Sequence, residues 1–213
     1  LSMLVNFLFK NCRSFYQENI FSMQAVKDTE FREINTFSVD SKLMPKDENE
    51  FIKSAVIFGG NASGKSNVLK ALAYMKNVLL MSASQFPIVA TNETFAFYEN
   101  AQNEESTYEV EIIQNATYYK YGFTLLKGVV KSEWLERRKE RLTPVFKRVD
   151  NELEIIGLSK QATRLINISE KTLFLSVGNN FHLDIASYLN DVMLWFQNLL
   201  IVFENDANIL DIY

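Results

Sequence analysis

The stretch Gly59-Gly60-Asn61-Ala62-Ser63-Gly64-Lys65-Ser66 matches the pattern Gly-x4-Gly-Lys-Ser/Thr at every fixed position. Each fixed residue type has a physical reason. A loop that wraps a polyanion must turn sharply and bring its backbone close to the ligand, which glycine allows and a Cβ obstructs. Successive backbone N–H groups then point at phosphate oxygens. Lys65 adds positive charge for the outer phosphates, and the Ser66 hydroxyl is placed to ligate a magnesium ion bridging two of them. The candidate nucleotide-binding residues are Gly59, Gly60, Asn61, Ala62, Ser63, Gly64, Lys65 and Ser66, with Asn67 directly after them. The competing reading is a glycine-rich turn that binds nothing, and the flanking sequence argues against it.

Before the loop, Ser54-Ala55-Val56-Ile57-Phe58 is an unbroken apolar run, which predicts a strand buried on both faces of a mostly parallel sheet. After it, Val68, Leu72, Met75 and Leu79 recur at helical spacing, so the loop feeds a helix of about four turns whose N-terminus faces the phosphates. Nearer the start, Val5, Phe7 and Phe9 alternate with Asn6 and Lys10 as in a half-buried strand, and a second strand is expected from Ile20 to Val26. Residues 40–50 read as a polar connector and residues 82–93 as a loop containing Pro87.

Beyond that loop the period changes to two. Tyr108, Val110 and Ile112 alternate with Glu109 and Glu111, Asn115-Ala116 makes a turn, and Tyr119, Tyr121, Phe123 and Leu125 continue the apolar face. With turns at Lys127-Gly128 and Asp150-Asn151, this predicts an antiparallel meander of four or five strands between about residues 95 and 157. Ile185, Leu189, Val192, Phe196 and Leu199 then form a helical stripe. The expected fold is α/β: a P-loop NTPase with a mixed core sheet, an antiparallel β-subdomain and helices. Its parts are a P-loop unit over 3–82, the meander over 95–157 and a mainly helical part over 160–213.

The 213 residues, 47% of them hydrophobic, suffice for a sizeable core. With 22 basic and 26 acidic residues the net charge is −4, which argues against a strong sequence-independent grip on DNA and leaves a local basic patch open. A single cysteine, Cys12, cannot form an internal disulfide, and neither a secretory signal nor a membrane-length apolar run is evident, so the expected location is cytoplasmic. Leu1 and Ser2 read as a remnant ahead of a natural start at Met3, and the stop at Tyr213 reads as a cut or a limit of order.

Other residues carry weaker signals. His182 lacks Cys or His neighbours and reads as an ordinary residue at a helix start rather than a metal ligand. Arg137, Arg138, Lys139 and Arg141, with Lys147 and Arg148, are either a charged sheet edge or a nucleic-acid contact. Tyr118, Tyr119, Tyr121 and Phe123 read as sheet core rather than a base-stacking platform, and Asp184 and Asp191 as solvated helix residues.

Taken together, Asn11-Cys12-Arg13-Ser14-Phe15, residues 59–67, Tyr119-Lys120-Tyr121-Gly122-Phe123, Glu133-Trp134-Leu135 and Thr172-Leu173-Phe174-Leu175-Ser176 resemble the landmarks of bacterial AAA family ATPases of the ABC/SMC-like type. That group is similar to the overcoming-lysogenization-defect and abortive-infection ATPases. The likeness spans nearly the whole chain, as the N-terminal part of such a domain. It implies a head that binds ATP with Mg and hydrolyses it, and that closes on a second ATPase head in a homodimer or higher oligomer. Such a head serves an effector protein or domain as a switch or motor in phage defence or DNA transactions. The resemblance leaves direct nucleic-acid contact open and implies no membrane. It also lends Arg13 a place beside the bound phosphates, the alternative being an exposed arginine in a turn.

Hydrolysis needs a carboxylate at the metal and a group that orients or deprotonates water. In the family these follow a strand of four apolar residues ending in Asp-Glu, and a serine-glycine signature completes the site across a dimer. The sequence offers only Glu204, at the end of Leu199-Leu200-Ile201-Val202-Phe203, with Asp206 two residues on. The helical phase of the preceding stripe makes a helix end the simpler reading, so the catalytic carboxylates are expected outside this segment. The leading function is an ATPase head. The alternative is a nucleotide-sensing or scaffold subunit that binds ATP with little hydrolysis. A small-molecule kinase is weaker, because no acceptor site or arginine-rich lid is visible.

Overall fold

The computed structural model describes residues 1–27, 30–44, 48–84, 91–138 and 141–202. In chain order its elements are β1 (Ser2–Lys10), β2 (Asn19–Ser22), α1 (Arg32–Asn35), β3 (Thr36–Ser38), β4 (Glu50–Ile52), α2 (Lys65–Met81), β5 (Ser106–Gln114), β6 (Thr117–Leu126), β7 (Val129–Arg138), β8 (Leu142–Val149), β9 (Glu152–Ile155), α3 (Lys160–Thr163), α4 (Phe174–Val177) and α5 (Ala186–Asn198).

Strands β5 to β9 are the expected meander. The two turns read from sequence set its register: Asn115 and Ala116 both take positive φ (49° and 55°), as do Lys127 (51°) and Gly128 (76°), the geometry that two-residue hairpin loops require. The seven-stranded sheet runs β2-β1-β5-β6-β7-β8-β9 with every neighbour antiparallel. The strand pair near the N-terminus therefore joins the meander's sheet through β5 rather than the P-loop segment. Among the described residues no parallel pairing occurs, so the mixed core sheet expected from the sequence is not present in them.

One face of this sheet is covered by helices. Phe7, Phe9, Tyr108, Val110, Tyr119, Tyr121, Phe123 and Leu135 share a core with Ala71, Leu72, Met75, Val78 and Leu79 of α2 and with Leu189, Val192, Trp195 and Phe196 of α5. The opposite face is covered at one end by the β3–β4 hairpin. There Val5, Ile113 and Tyr118 meet Val39, Leu43, Met44 and Phe51. Val5 reaches that face because β1 bulges between Leu4 and Asn6. The aromatic set 118–123 is core, as expected, but divided between two faces by the period of the strand.

Three further expectations are corrected. Residues 54–58 carry no strand pairing, and Val56 and Phe58 are 71% and 87% exposed, so the apolar run is not a buried strand here. Its hydrophobicity calls for neighbours on both edges, and no described segment supplies one. Asp191 is not a solvated helix residue: its carboxylate accepts from Tyr119 Oη at 2.6 Å and from Asn115 Nδ2 at 2.7 Å, pinning α5 to the β5–β6 hairpin. The basic stretch does not form one surface, because successive strand residues face opposite ways. Arg137 stacks on Tyr188 at 4.3 Å, Arg138 lies over Tyr118 at 5.4 Å, and Arg148 is buried. Nor is it the sheet edge, a position held by β2 and β9. Lys139 lies outside the described residues.

Candidate functional site

The phosphate loop lies between the unpaired segment 54–58 and α2. Gly64 is the N-cap of α2 with φ 90°, a conformation that suits glycine, and a Cβ there would stand 2.8 Å from Ser14 Oγ. Gly59 is similarly confined, since its Cβ would meet Ser63 Oγ at 2.6 Å, whereas Gly60 has open space around it. Ala62 also takes positive φ, 61°. A Cβ at either fixed glycine would meet a serine hydroxyl of the chain itself, and the loop backbone with Lys65 and Ser66 is the donor set that a nucleotide's phosphates take, so these residues fit a nucleotide. Lys65 Nζ donates to Gly59 O at 2.8 Å and Gly60 O at 2.6 Å, which holds its charge over the loop mouth. Ser66 is exposed in the first turn of α2, where the helix dipole favours negative charge. Asn67 Nδ2 donates to Ser14 Oγ at 2.9 Å.

Ser14 belongs to the turn after β1, a reversal closed by reciprocal hydrogen bonds between Cys12 and Phe15 at 2.8 and 2.9 Å. Asn11 and Arg13 take positive φ within it, 49° and 52°. The turn thus puts Ser14 against Gly64 and Asn67. Arg13 instead pairs with Glu93, at 3.0 Å between Nη1 and Oε2, and its backbone N–H donates to Glu93 O at 2.8 Å. Cys12 is buried below, and burial pushes its thiol pKa up to about 12, so the neutral thiol persists.

The far end of α2 is held as well. Thr172 Oγ1 donates to Ser82 O at 3.1 Å, Leu173 N to Ser82 Oγ at 3.1 Å, and Ser176 Oγ to Leu79 O at 2.5 Å. The 172–176 segment is in turn gripped by the sheet. Glu133 of β7 accepts from Phe174 N at 2.6 Å, Leu175 N at 2.9 Å and Tyr121 Oη at 3.0 Å, while Arg148 of β8 donates to Thr172 O at 2.6 Å and Ser169 O at 3.1 Å. Glu133 is fully buried, and desolvation pushes its pKa up to about 7 against the lowering effect of its hydrogen bonds and of Arg148. The sequence reading named Glu133 only as part of a landmark. The missed signal was its phase: it shares the core-facing register with Leu135, where an acid needs buried partners.

His182 is exposed with φ 50°, directly after the short helical turn 178–181, and Asp184 is exposed. Among the described residues no group of three His, Cys, Asp or Glu side chains could hold a metal. Helix α5 ends at Asn198; Leu199 is extended, and Lys76 Nζ donates to its carbonyl at 2.6 Å. Glu204 and Asp206 lie outside the described residues. No helix of the described residues is long and apolar enough to cross a membrane.

A glycine-walled loop capping a helix, with its lysine and serine in place, defines a P-loop NTPase. Residues 54–209 match the family model described as "AAA domain, putative AbiEii toxin, Type IV TA system", and the chain belongs to that family of AAA domains. It is thereby an AAA/ABC-like ATPase domain of the class linked to abortive infection. A search among curated proteins finds no match.

Proposed function

We propose that this chain is the nucleotide-binding part of an ABC/SMC-like ATPase head that closes on a second head when ATP binds and drives a cytoplasmic effector in phage defence or a DNA transaction. The observation that carries the reading is α2, a helix whose first turn presents Lys65 and Ser66, whose start is tied to the turn after β1 and whose end is tied to the 172–176 segment that β7 and β8 hold. Residues 59–66 hold the phosphates through backbone N–H groups, and Lys65 turns its ammonium from Gly59 O and Gly60 O to the outer phosphates. Ser66 holds magnesium, which when bound neutralises charge between those phosphates. Ser14 positions Gly64, and Arg13, once released from Glu93, supplies a forked cation beside the loop. The unpaired segment 54–58 supports an active form in which further strands complete the core sheet and bring the catalytic carboxylates.

The test is magnesium-dependent ATP turnover and ATP binding on the same samples of wild type and Lys65→Ala. Binding that falls at least tenfold with Lys65→Ala supports the site, and turnover lost in parallel supports hydrolysis. Binding without turnover means a half-site whose catalytic carboxylates lie elsewhere, and wild type that binds no ATP refutes the reading.

A further inference from the structure

Two charged side chains of neighbouring strands hold one short segment by its backbone. Glu133 on β7 and Arg148 on β8 are register partners, and both are buried, at 0% and 2% exposure. Between them they engage both kinds of backbone group in residues 169–175. The carboxylate accepts from Phe174 N and Leu175 N, the guanidinium donates to the carbonyls of Ser169 and Thr172, and Val130 N at the start of β7 donates to Glu170 O at 2.8 Å. Burying an acid and a guanidinium is a costly way to fill a core, and apolar side chains of similar volume often give a more stable protein. What the charges add is direction, because each bond fixes where a particular backbone atom lies.

The segment passes that direction to the end of α2. Thr172 Oγ1 and Leu173 N donate to the carbonyl and the hydroxyl of Ser82, Ser176 Oγ donates to Leu79 O, and the hydroxyls of Ser82 and Ser176 lie 2.9 Å apart. Apolar packing keeps α2 on the sheet but is non-directional, whereas these bonds set its position along and about its own axis. The helix has 17 residues and is about 25 Å long, with Lys65 and Ser66 at its other end. A tilt of about 5° in a rod of that length shifts its first turn by about 2 Å, enough to part Lys65 and Ser66 from the phosphate positions they serve.

We propose that Glu133 is a positioning residue for the phosphate site: with Arg148 it sets the place of residues 172–176, and through them the position from which α2 presents Lys65 and Ser66. This rests on the nucleotide-binding function proposed above.

Affinity for magnesium-ATP and stability to urea, measured at pH 8 on the same samples, test it in wild type, Glu133→Gln, Ser176→Ala, the double variant and Ile113→Val. Ile113 lies in the core on the opposite face of the sheet, so its truncation lowers stability without touching the segment. Expected are a loss of about fivefold in ATP affinity for each of Glu133→Gln and Ser176→Ala, the order carried along such a chain of contacts, no further loss in the double variant, and wild-type affinity in Ile113→Val. Thr172→Val, which keeps the shape and removes the hydroxyl, weakens binding, and Thr172→Ser retains it. Wild-type affinity in both Glu133→Gln and Ser176→Ala overturns the proposal while leaving the phosphate site standing. Losses that multiply in the double variant mean two independent effects and overturn it, as does a loss in Ile113→Val that scales with stability. Wild-type affinity in Thr172→Val overturns it even where Glu133→Gln fails to fold. Wild type that binds no ATP overturns the underlying function instead.

Discussion

Replacing Glu133 by glutamine keeps the shape of a buried side chain and removes its charge. The wild-type carboxylate is fully buried, and its pKa rises from the ordinary 4.5 to about 7 because desolvation outweighs three hydrogen bonds and the Arg148 charge. An acid whose folded pKa lies above its unfolded value binds its proton more tightly when folded, so wild-type stability falls as pH rises from about 4.5 to about 7 and levels off above that. Each whole step in pKa is worth about 1.4 kcal/mol, which makes the loss from this one group about 3 kcal/mol. In Glu133→Gln the amide oxygen can keep Tyr121 Oη and Leu175 N, while the amide nitrogen faces Phe174 N–H, so the variant loses one charge-assisted hydrogen bond at a cost of roughly 1.5–3 kcal/mol. It does not titrate. Urea unfolding of both proteins at pH 5, 6, 7 and 8 isolates the effect, because every other titrating group is common to the two. Wild type should lose about 2.5 kcal/mol relative to the variant between pH 5 and 8, the rest of the loss lying below pH 5. Parallel curves would refute the reasoning. A wild type that gains stability over that range would mean that the hydrogen bonds from Phe174 and Leu175 prevail over desolvation.

Gly64→Ala forces an alanine to φ 90° and sets its Cβ 2.8 Å from Ser14 Oγ, so ATP binding should fall at least tenfold and stability by on the order of 1–2 kcal/mol; adding Ser14→Gly should restore only part, and wild-type binding by the single variant would contradict the geometry. Arg13→Ala should weaken ATP binding several-fold in equilibrium titrations, while Glu93→Ala, which frees the guanidinium from its 3.0 Å partner, should leave binding equal or tighter; unchanged affinity in Arg13→Ala removes that residue from the site. Cys12, with its thiol pKa pushed up to about 12, should resist thiol reagents at pH 8 until urea unfolds the chain, and rapid labelling of native protein would show the burial to be wrong.

Local rules were enough wherever local physics decides. Asn115-Ala116 and Lys127-Gly128 are turns because each pair holds one residue type that tolerates positive φ, Asn115 and Gly128, and the helical stripe of α2 is buried where its period places it. Longer-range pairing was less legible. The alternation of β1 gives no sign that it pairs with β5 about a hundred residues later, so sequence alone places the first strands with the P-loop unit. Segment 54–58 is as apolar as a buried strand yet stands uncovered, since composition reports what a strand needs and not whether the described chain contains it. Of the phosphate site, the loop itself was plain, but its support by Ser14 and Asn67 depends on a contact across 53 residues. Glu133 and Asp191 escaped for a related reason: an acid in a core phase or on a helix becomes informative only when its partners, Phe174 and Leu175 or Tyr119 and Asn115, are brought to it.

The bare segment before the loop also sets a problem of timing. Among the described residues none pairs with the backbone from Ser54 to Phe58, where Val56 and Phe58 stand exposed, and such a segment is the template on which a second copy of itself can pair. Covering that segment is first order in its own chain when the cover is intramolecular, whereas self-pairing grows with concentration. Yield of usable protein is therefore set by a race, and slow, dilute production should favour it over anything that merely raises thermodynamic stability.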